Sequence, residues 1–393
     1  MKAVVVHHRG GYGGGEVVMY FTISALSRVA EEVTVLSVEP IDWGIYEEIV
    51  EEPKPGNARN VSILKKKIGY FGIYQRLLPS FYLKNVEYDV VVNTHGDSLA
   101  LFNIGSKPYV LYLHFPSLAL LEYNPSLKYK LRSPREAGLR GFLSSIGWRI
   151  YFEPYRLLNK FLFPRNLLKA SVVIVNSRFT LGVTKRVCSE LGVSVDSKLA
   201  VVNPPVPHFE RYAKLRSAAR VRKRVVTIGR FTPDKNYELV VELARRHRDI
   251  EFVIVGSVGK SKIYREYFSK IKSIAPPNLK LLPDASEREK LEVLASSSIY
   301  LHTMPGEHFG IAPAEAAVAG LTLIVHKQSG AWTDICFEGS YCYGYTEPRA
   351  DEVSELLEQA IKDPRPVPVD RIEHLSPESF RRRMIDIVAR LAR

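Results

Sequence analysis

Short apolar runs alternate with helix-like segments along almost the whole chain, and this alternation limits the possible folds more than any other feature. In the first half the runs occupy residues 2–6, 33–38, 89–93, 109–114 and 171–176. In the second half they occupy residues 225–228, 251–255, 279–282, 298–302 and 321–326. Runs of this length, separated by helical spacers, are typical of buried parallel strands. The sequence therefore predicts an α/β protein with parallel sheets that are covered by helices.

A break in the alternation divides the chain into two predicted domains. A chain of 393 residues is longer than one hydrophobic core usually supports. Asn-Pro-Pro-Val-Pro at residues 203–207 interrupts the pattern, and the charged stretch 211–224 that follows has a weakly ordered character. We therefore expect a doubly wound, Rossmann-like domain over residues 1–207, a linker, and a second such domain over 223–375. The two domains would face each other across a cleft.

The charge and the cysteines limit the partners and the compartment. A net charge of +13 favours an anionic partner, which could be a nucleotide, an anionic membrane or a nucleic acid. Cys188, Cys336 and Cys342 show no C-x-x-C spacing, so we expect neither a disulfide framework nor a zinc site, and a reducing cytoplasm fits better. No apolar run approaches the roughly 20 residues that cross a bilayer, and the N-terminal run is too short for a signal peptide. We expect a cytoplasmic protein that is soluble or peripheral.

Two glutamates eight residues apart flank a predicted helix start. Pro313 suits the first turn of a helix and Gly320 suits its end, which puts Glu315 in the first turn and Glu307 in the loop ahead of it. The backbone N–H groups of residues 309–312 would then point out of a helix N-terminus, which favours phosphate. Carboxylates on either side could accept hydrogen bonds from sugar hydroxyls, so the segment predicts a nucleotide-sugar site. The alternative is that Glu315 only complements the helix dipole and Glu307 is solvated.

The segment HTMPGEHFGIAPAEAAVAG at residues 302–320 resembles the E-x7-E signature of the family 4 retaining glycosyltransferases, which have the GT-B fold. Within that family, His302-Thr303-Met304 followed by EHFGI at 307–311 is especially similar to the dolichol-pathway α-1,2-mannosyltransferase subgroup. The resemblance implies a catalytic role for Glu307. It also implies substrate binding by His308, Phe309, Gly310, Ile311 and Glu315.

A glycine-rich loop follows the first apolar run. Five glycines fall between residues 10 and 15, at the carboxyl end of a predicted strand, where backbone can approach a ligand closely. The spacing does not match G-x-G-x-x-G, so a nicotinamide site is weakly supported. The loop is similar to the one that faces the donor diphosphate in family members, which implies that Gly13, Gly14 and Gly15 bind substrate. The alternative is a flexible turn.

Two cations follow the first strand of the second predicted domain. Arg230 and Lys235 come after a strand and a turn, and cations at such a place stabilise the charge that develops on a leaving nucleoside diphosphate. R-x4-K after this strand resembles the diphosphate clamp of the family. The alternative is that both side chains are solvated surface cations. The chain has no D-x-D motif, so we expect no metal, and these cations with the helix N-terminus would take the place of its charge.

One histidine stands at the end of the strand predicted over 109–114. His114 stands where the family carries a histidine that contacts the donor sugar and the reaction centre, which implies a catalytic role, although a lone histidine is more often structural. His7, His8 and His95 also follow apolar runs, and the sequence does not separate supporting from structural roles for them. The family retains anomeric configuration. Double displacement needs a carboxylate nucleophile that this sequence does not clearly supply, so we expect a front-face mechanism.

Residues 121–169 are rich in aromatic and basic side chains and suit an interfacial patch that meets an anionic membrane and a polyisoprenyl diphosphate acceptor. The alternative is an amphipathic helix packed on its own domain. Apolar residues at helical spacing are Leu139, Phe142, Leu143, Ile146 and Ile150. The basic residues are Arg132, Arg135, Arg140, Arg149, Arg156, Lys160, Arg165 and Lys169, and Trp148, Tyr151, Phe152 and Tyr155 are interleaved with them.

A last helix is predicted from Ser376-Pro377, a suitable N-cap and first-turn pair. Phe380, Met384 and Val388 fall on one face of it. The resemblance to GT-B enzymes implies that this helix, residues 377–393, returns to the first domain.

The leading hypothesis is a retaining hexosyltransferase that moves mannose from GDP-mannose onto a lipid-linked glycan at the cytoplasmic membrane face, with an α-linkage and no cofactor beyond the donor. One alternative is a GT-B enzyme that uses a UDP-sugar, including a synthase with a soluble acceptor. Another is a non-catalytic protein that binds sugar nucleotides. A nucleic-acid-binding protein is disfavoured, because no recognition helix, RNA-binding aromatic signature or zinc finger is present.

Overall fold

The computed structural model describes residues 1–8, 13–66, 72–96, 98–101, 104–123, 134–259 and 262–391, without the side chains of residues 98, 121, 134–146, 148 and 149. The strands are β1 (Lys2–His7), β2 (Glu32–Ser37), β3 (Ala58–Ser62), β4 (Val90–Asn93), β5 (Tyr109–Leu113), β6 (Val172–Val175), β7 (Leu199–Val201), β8 (Val221–Ile228), β9 (Glu251–Gly256), β10 (Leu279–Pro283), β11 (Ser297–Leu301), β12 (Thr322–His326) and β13 (Tyr343–Tyr345). The helices are α1 (Gly14–Leu26), α2 (Trp43–Val50), α3 (Gly72–Gln75), α4 (Leu78–Tyr82), α5 (Leu120–Tyr123), α6 (Pro134–Lys169), α7 (Arg178–Glu190), α8 (Phe209–Lys214), α9 (Tyr237–Arg246), α10 (Lys262–Ile274), α11 (Glu287–Ser296), α12 (Ile311–Val318), α13 (Ala350–Lys362), α14 (Val369–Ile372) and α15 (Pro377–Leu391).

The strands form two separate parallel sheets. The first has seven strands in the order β3-β2-β1-β4-β5-β6-β7, and the second has six in the order β10-β9-β8-β11-β12-β13. In the first sheet Val4 lies opposite Thr34 on one side and Val91 on the other. The central strands are runs of valine, isoleucine and leucine because helices cover both of their faces. The predicted α/β class with two doubly wound domains is confirmed.

Contacts divide the chain into two compact units. The first domain comprises Met1–Pro207 with Pro377–Arg393, and the second comprises His208–Ser376. In the first domain α15 packs against α1 and buries Phe380, Met384 and Val388. Arg381 of the same helix donates hydrogen bonds to Ser24 and Glu52. The predicted cleft between the domains stays a prediction.

The prediction of a weakly ordered linker after residue 207 is wrong. Residues 209–214 form α8, and β8 begins at Val221, four residues earlier than the apolar run suggests. The reason lies in two arginines whose guanidinium groups donate to backbone carbonyls. Arg216 bonds Ala317 and Val318 at the end of α12, and Arg220 bonds Ser297 at the end of α11. The charge of these arginines suggested a solvated segment. Their guanidinium groups instead donate hydrogen bonds to carbonyls that helix C-termini leave without intrahelical partners.

The expectation that the cysteines form no disulfide is wrong for one pair. Cys336 and Cys342 form a disulfide with their Cα atoms 5.3 Å apart. The chain makes a tight turn between them, through Gly339 at φ +97°, and a turn of this kind leaves no spacing signature such as C-x-x-C. Trp332 packs over the same turn. A methyl group at Gly339 or at Gly344 would lie within 3 Å of its indole ring. Cys188 is buried and stays unpaired.

Helix α6 contains most of the predicted interfacial patch. Its C-terminal half is packed on the first domain through Tyr155, Phe163 and Leu167, which are buried. Among the described residues, no helix is both long enough and apolar enough to cross a bilayer. Several members of the predicted patch fall outside the described residues, namely Arg132 and the side chains of Arg135, Leu139, Arg140, Phe142, Leu143, Ile146, Trp148 and Arg149.

Candidate active site

The loop between β11 and α12 is held in place by two glycines. Gly310 has φ +95°, in the left-handed region, and a methyl group there would lie 2.9 Å from Pro313 and 3.3 Å from the Glu307 side chain. Gly330 approaches from the next loop, where a methyl group would lie 2.3 Å from the carbonyl oxygen of His308. The Gly330 N–H donates to the Glu307 carbonyl at 2.8 Å. The loop can take this path only because both positions lack a side chain.

Helix α12 begins at Ile311, so the prediction that it opens at Pro313 is wrong by two residues. Proline is tolerated as the third helical residue because the N–H groups of the first turn have no intrahelical partner in any case. Glu315 therefore lies in the second turn rather than the first. Gly320, at φ +85°, follows the C-cap residue Ala319 and ends the helix as predicted.

Glu307 forms a mostly buried cluster with Lys235 and His302. Its Oε2 accepts a hydrogen bond from Lys235 Nζ at 3.0 Å and lies 3.3 Å from His302 Nε2. Burial alone would raise the pKa of Glu307, but the Lys235 charge and the His302 ring hold it well below its usual value. Burial lowers the pKa of His302. The cluster thus combines a carboxylate, an ammonium group and a neutral imidazole.

A hydrogen bond to the backbone of Lys235 and the space beside a glycine position this lysine next to Glu307. Thr303 Oγ1 donates to the Lys235 carbonyl, and Lys235 Nζ lies 3.2 Å from the Met304 sulfur. A methyl group at Gly229 would lie 3.2 Å from the lysine Cε, so the glycine leaves room for the side chain. Of the two predicted diphosphate cations, Lys235 therefore joins the glutamate cluster. Arg230 is exposed beyond the end of β8.

The remaining predicted residues of this loop differ in what they can offer a ligand. The Phe309 side chain is only 2% exposed, so this residue can present only its backbone. His308 and Ile311 are partly exposed. Gly310 precedes the first turn of α12, where N–H groups lack intrahelical partners. The arrangement offers backbone donors, one ammonium group and one carboxylate to an anionic, hydroxyl-rich ligand.

Glu315 lies in a second cluster, which the sequence analysis missed apart from Glu315 itself. Both of its carboxylate oxygens lie near Lys290 Nζ, at 3.4 and 3.5 Å. Lys290 also pairs with Glu287 at 2.9 Å and lies over the ring of Tyr212, whose hydroxyl donates to Glu287 at 2.8 Å. Burial raises the pKa of Glu315, and Lys290 opposes that shift. Glu315 is 25 residues from Lys290 and 103 residues from Tyr212 in sequence. No sequence pattern could have predicted contacts between residues so far apart.

The first domain brings its glycine loop and His114 together. Gly13 precedes α1 and Gly14 begins it, and a methyl group at Gly15 would lie 3.4 Å from His114 Nε2. That nitrogen lies 2.9 Å from the Thr94 carbonyl and donates to it. Gly96, at φ +80°, gives the ring room, because a methyl group there would lie 2.4 Å from it. Burial lowers the pKa of His114, so the imidazole is neutral.

The other three histidines of the first domain gather beside this group. His7 Nδ1 lies 3.1 Å from the Thr94 hydroxyl. The His95 ring stands 5.8 Å from the ring of His7 and 5.0 Å from that of His8, between centroids. Burial, followed by the charges of His114 and His8, lowers the pKa of His7 to about 3. Strands β1, β4 and β5 end at the same sheet edge, which explains why histidines distant in sequence become neighbours.

A family model described as "Glycosyl transferases group 1" matches residues 214–376. This stretch is a group 1 glycosyl transferase domain. It contains Arg230, Lys235, Lys290, Glu307 and Glu315. The resemblance that the sequence analysis placed on residues 302–320 is therefore confirmed for the second domain.

Curated relatives extend the likeness beyond this domain. The chain is 27% identical over 249 residues to the GDP-Man:Man(3)GlcNAc(2)-PP-Dol alpha-1,2-mannosyltransferase of Candida glabrata, covering 59% of this chain and 46% of that protein. It is 24% identical over 341 residues to the human alpha-1,3/1,6-mannosyltransferase ALG2, covering 79% and 75%. The chain thus spans about half the length of the Candida glabrata relative.

Solved structures share the fold of the group 1 glycosyl transferase domain and of the first domain. Sucrose-phosphate synthase from Thermosynechococcus elongatus has a TM-score of 0.68 at 13% identity, covering 99% of this chain and 98% of that one. Anabaena HepE in complex with UDP has a TM-score of 0.64 at 15% identity, covering 99% and 100%. These matches, with the two parallel sheets, confirm the predicted GT-B fold class.

Among the described residues, no three or more histidine, cysteine, aspartate or glutamate side chains converge as a cation site would require. The expectation that the protein works without a metal remains a prediction.

Proposed function

We propose that this protein is a retaining hexosyltransferase that transfers mannose from GDP-mannose to a lipid-linked glycan with an α-linkage. The observation that carries the proposal is the Lys235–Glu307–His302 cluster, which stands at the start of α12 in a group 1 glycosyl transferase domain. The names of the curated relatives support GDP-mannose as the donor and a dolichyl diphosphate glycan as the acceptor.

The donor diphosphate is proposed to bind at the N-terminus of α12, with Arg230 and Lys235 as its cations. Lys235 has three N–H donors, so it can keep its hydrogen bond to Glu307 while another N–H binds a phosphate oxygen. Backbone N–H groups of Gly310 and Ile311 add neutral donors. Glu307, held ionised by Lys235, accepts hydrogen bonds from hydroxyls of the transferred sugar. Glu315 accepts hydrogen bonds from the ribose.

The chemical step is proposed to be a front-face transfer. The bond between the sugar anomeric carbon and the diphosphate oxygen breaks, and a bond from that carbon to the acceptor oxygen forms on the same face. The acceptor proton passes to the departing phosphate oxygen. Lys235 and Arg230 stabilise the charge on that phosphate as it develops. In the first domain, neutral His114, whose Nε2 proton is engaged by the Thr94 carbonyl, is proposed to bind substrate together with Gly13, Gly14 and Gly15.

Donor binding tests this proposal by thermal shift with GDP, UDP, ADP and the corresponding sugar nucleotides. We expect GDP-mannose to stabilise the wild type and Lys262→Met, a control that removes a lysine 83% exposed on α10. We expect Lys235→Met to lose that stabilisation. We also expect Glu307→Gln to lower transfer from GDP-mannose on the order of a hundredfold. Selective stabilisation by a UDP-sugar would contradict GDP-mannose as the donor. Absence of stabilisation by every nucleotide would contradict the proposed enzymatic activity.

The acceptor and the location of the enzyme are proposed to depend on one face of α6. Ile150, Leu157, Phe161 and Leu168 are spaced by seven, four and seven residues, which puts them on one side of a helix. They are 70%, 57%, 58% and 48% exposed. We call this row the α6 stripe. An exposed apolar row about 27 Å long, on a helix that buries Tyr155, Phe163 and Leu167, is typical of a surface that meets a partner.

The partner that best fits the α6 stripe is an anionic lipid surface at the cytoplasmic face of a membrane. Arg156, Lys160, Arg165 and Lys169 are exposed beside the stripe. The Arg165 guanidinium lies 3.9 Å from the centre of the Phe161 ring, so a cation and an apolar side chain are presented together. Apolar side chains that enter the acyl boundary while cations meet anionic headgroups characterise interfacial helices. A lipid-linked acceptor would be presented at such a surface.

Vesicle flotation tests the membrane partner. We expect the wild type to float with vesicles of phosphatidylcholine and phosphatidylglycerol, and less with phosphatidylcholine alone. The double variant Leu157→Ser/Phe161→Ser should bind at least about tenfold more weakly, because it lacks two apolar side chains that would move from water into the membrane on binding. Ile263→Ser on α10, which removes an apolar side chain 41% exposed in the second domain, serves as the control. Absence of flotation by the wild type would contradict the membrane partner and leave the donor proposal intact.

A further inference from the structure

Three elements of the second domain converge on Glu315. Helix α11 supplies Lys290 and Glu287, helix α8 supplies Tyr212, and α12 supplies the glutamate itself. The Lys290 side chain is 18% exposed and that of Glu315 is 11% exposed, so the pair is largely removed from water. A solvent-exposed glutamate would be stabilised by water and would not need a cation beside it. Here one ammonium group faces both carboxylate oxygens at 3.4 and 3.5 Å.

The separation of Lys290 from Glu315 is longer than that of a tight ion pair. Charged N–H···O bonds usually measure 2.7 to 2.9 Å, and Lys290 makes its contact at that length with Glu287 instead, at 2.9 Å. Lys290 therefore acts on Glu315 mainly through its charge. The carboxylate oxygens of Glu315 keep lone pairs that a tighter pair would occupy.

Tyr212 fixes Lys290 between the two carboxylates. Its ring lies beneath the ammonium group, 5.3 Å from ring centre to Nζ. Its hydroxyl donates to Glu287 at 2.8 Å. The residue is itself almost fully buried. The cation therefore has one carboxylate as a close partner, an aromatic face as a support, and the second carboxylate at a longer distance.

We propose that Lys290 and Tyr212 are positioning residues that keep Glu315 a carboxylate and aim it at the ribose hydroxyls of the bound nucleotide. The inference rests on the proposed function, because it assigns ribose binding to Glu315. Neither residue touches the reacting atoms. The alternative is a purely structural network that joins α8, α11 and α12.

Other titratable groups also surround α12. The charge of Glu315 contributes to raising the pKa of Tyr300 on β11. Arg216 bonds the carbonyls at the far end of α12. The remaining titratable side chains on elements packed against α12 are His326 on β12, Asp334 in the turn 331–335, Glu210, Arg211 and Lys214 on α8, and Asp370 and Arg371 on α14. Lys290 is the cation with the largest influence on Glu315.

The test compares GDP with 2′,3′-dideoxy-GDP, which has the same base and diphosphate but no ribose hydroxyls to offer Glu315. We expect the wild type to bind GDP about tenfold more tightly than the dideoxy analogue, as a hydrogen bond to a charged group implies. In Lys290→Met this preference should fall to about twofold or less. Affinity for the dideoxy analogue should stay within about twofold of the wild type. Tyr212→Phe should give an intermediate preference.

The pH dependence gives a second readout that a purely structural role would not move. Without Lys290, nothing of comparable size opposes the burial of Glu315, so its pKa should rise further than in the wild type. The preference for GDP needs the carboxylate form and is lost as pH falls. We therefore expect Lys290→Met to lose it at a higher pH than the wild type does. Binding of the dideoxy analogue provides the reference at each pH.

Matched controls separate failure of this inference from failure of the proposed function. Arg288→Met removes a cation of the same helix that is 88% exposed and pairs with Glu292 at 2.9 Å, and this variant should behave as the wild type. If the wild type binds neither nucleotide, the proposed function fails. If the wild type prefers GDP and Lys290→Met keeps both the preference and its pH midpoint, the positioning role is wrong. Equal loss of both ligands in a folded variant would identify a structural network.

Discussion

At the scale of single residues, Glu307 shows how a carboxylate stays charged while mostly buried. Burial opposes its charge, but Lys235 at 3.0 Å and His302 at 3.3 Å from the same oxygen reverse that effect. Removing one partner of such a pair leaves the other buried and uncompensated, which costs more than the net value of the pair. The two residues therefore belong to one energetic unit.

We predict that Lys235→Met and Glu307→Gln are strongly coupled in stability. Each single change should lower the free energy of unfolding by about 1–3 kcal/mol, because it leaves a buried polar group without its partner. The double variant should lose less than the sum, with a coupling of at least about 1 kcal/mol. Urea unfolding at pH 7.5 measures this. Additive losses would show that the two side chains do not interact in solution.

His7 makes the first domain sensitive to acid. Its pKa falls from the ordinary 6.5 to about 3 on folding, so the unfolded chain takes up a proton below pH 6.5 and the folded chain does not. A lowered pKa contributes stability that is complete above the unfolded value and is lost as pH falls. Between pH 7.5 and 5.5 this costs about 1.4 kcal/mol. Burial lowers the pKa of His114 in the same direction.

We predict that His7→Gln reduces the acid sensitivity of the first domain. Between pH 7.5 and 5.5 the wild type should lose about 1.4 kcal/mol more of unfolding free energy than the variant does. Urea titrations at the two pH values measure the difference. His247→Gln, in the second domain, should leave the loss as in the wild type. An unchanged pH dependence in His7→Gln would mean that His7 titrates normally in the folded protein.

Single residues with a recognisable spacing were predictable, and those without one were not. Glu307, Glu315, Arg230 and Lys235 could be named because each stands at a fixed offset from a strand end or a helix start. Lys290 carries no such offset, since it reaches Glu315 across the surface of another helix. A lysine in the charged sequence Glu-Arg-Glu-Lys at 287–290 looks like any solvated helical residue until the tertiary structure buries it.

At the scale of elements, the central strands and the last helix followed from apolar patterning, while three strands were missed. Strands β3, β7 and β13 are short, and each lies at the edge of its sheet. Edge strands expose one side to solvent and so lack the continuous apolar run of buried parallel strands. β3 has one buried residue out of five and β7 has none, so apolar periodicity could not identify them.

The ends of α11 and α12 depend on two arginines that the sequence did not single out. Arg220 donates to Leu294, Ser297, Leu215 and Ala319 carbonyls, which joins both helix ends to the segment before β8. Its five N–H donors in a rigid fork can serve several acceptors at once, whereas a lysine ammonium group cannot match that geometry. The segment predicted as a linker is therefore part of the second domain.

We predict that Arg220→Met lowers the unfolding free energy of the second domain by about 2–4 kcal/mol, because carbonyls at two helix ends lose their donor. Arg220→Lys should recover less than half of that loss. Arg222→Met is the matched control, since Arg222 is exposed and contacts a single carbonyl at 3.3 to 3.4 Å. Denaturant unfolding of the three variants measures the order. Equal stability of Arg220→Met and Arg222→Met would refute the bridging role.

At the scale of the whole molecule, the end of the chain completes the domain in which the chain begins. Helix α15 contributes Phe380, Met384 and Val388 to the first core, and Arg28 pairs with Glu378 at 2.6 Å. Sequence periodicity indicated the apolar face of α15, but nothing in the sequence alone said which core would bury it. Only the resemblance to GT-B enzymes assigned that helix to the first domain.

We predict that deleting residues 377–393 destabilises the first domain selectively. Three apolar side chains leave its core, each worth about 1.5–3 kcal/mol of burial, so its thermal transition should fall sharply or disappear. The second domain, which keeps all of its own core, should unfold near its original temperature. Calorimetry of the full chain and the truncated chain measures both transitions. A uniform shift of both would show that the domains unfold as one cooperative unit.

The packing of Trp332 gives the second domain an optical reporter. Of the three tryptophans in the chain, Trp43 and Trp148 belong to the first domain and Trp332 alone to the second. It lies two residues beyond Gly330, the residue pressed against the loop that carries Glu307. In a Trp43→Phe/Trp148→Phe background, intrinsic fluorescence would arise from this one indole. Binding of a nucleotide to the second domain could then be followed in real time without labelling the protein.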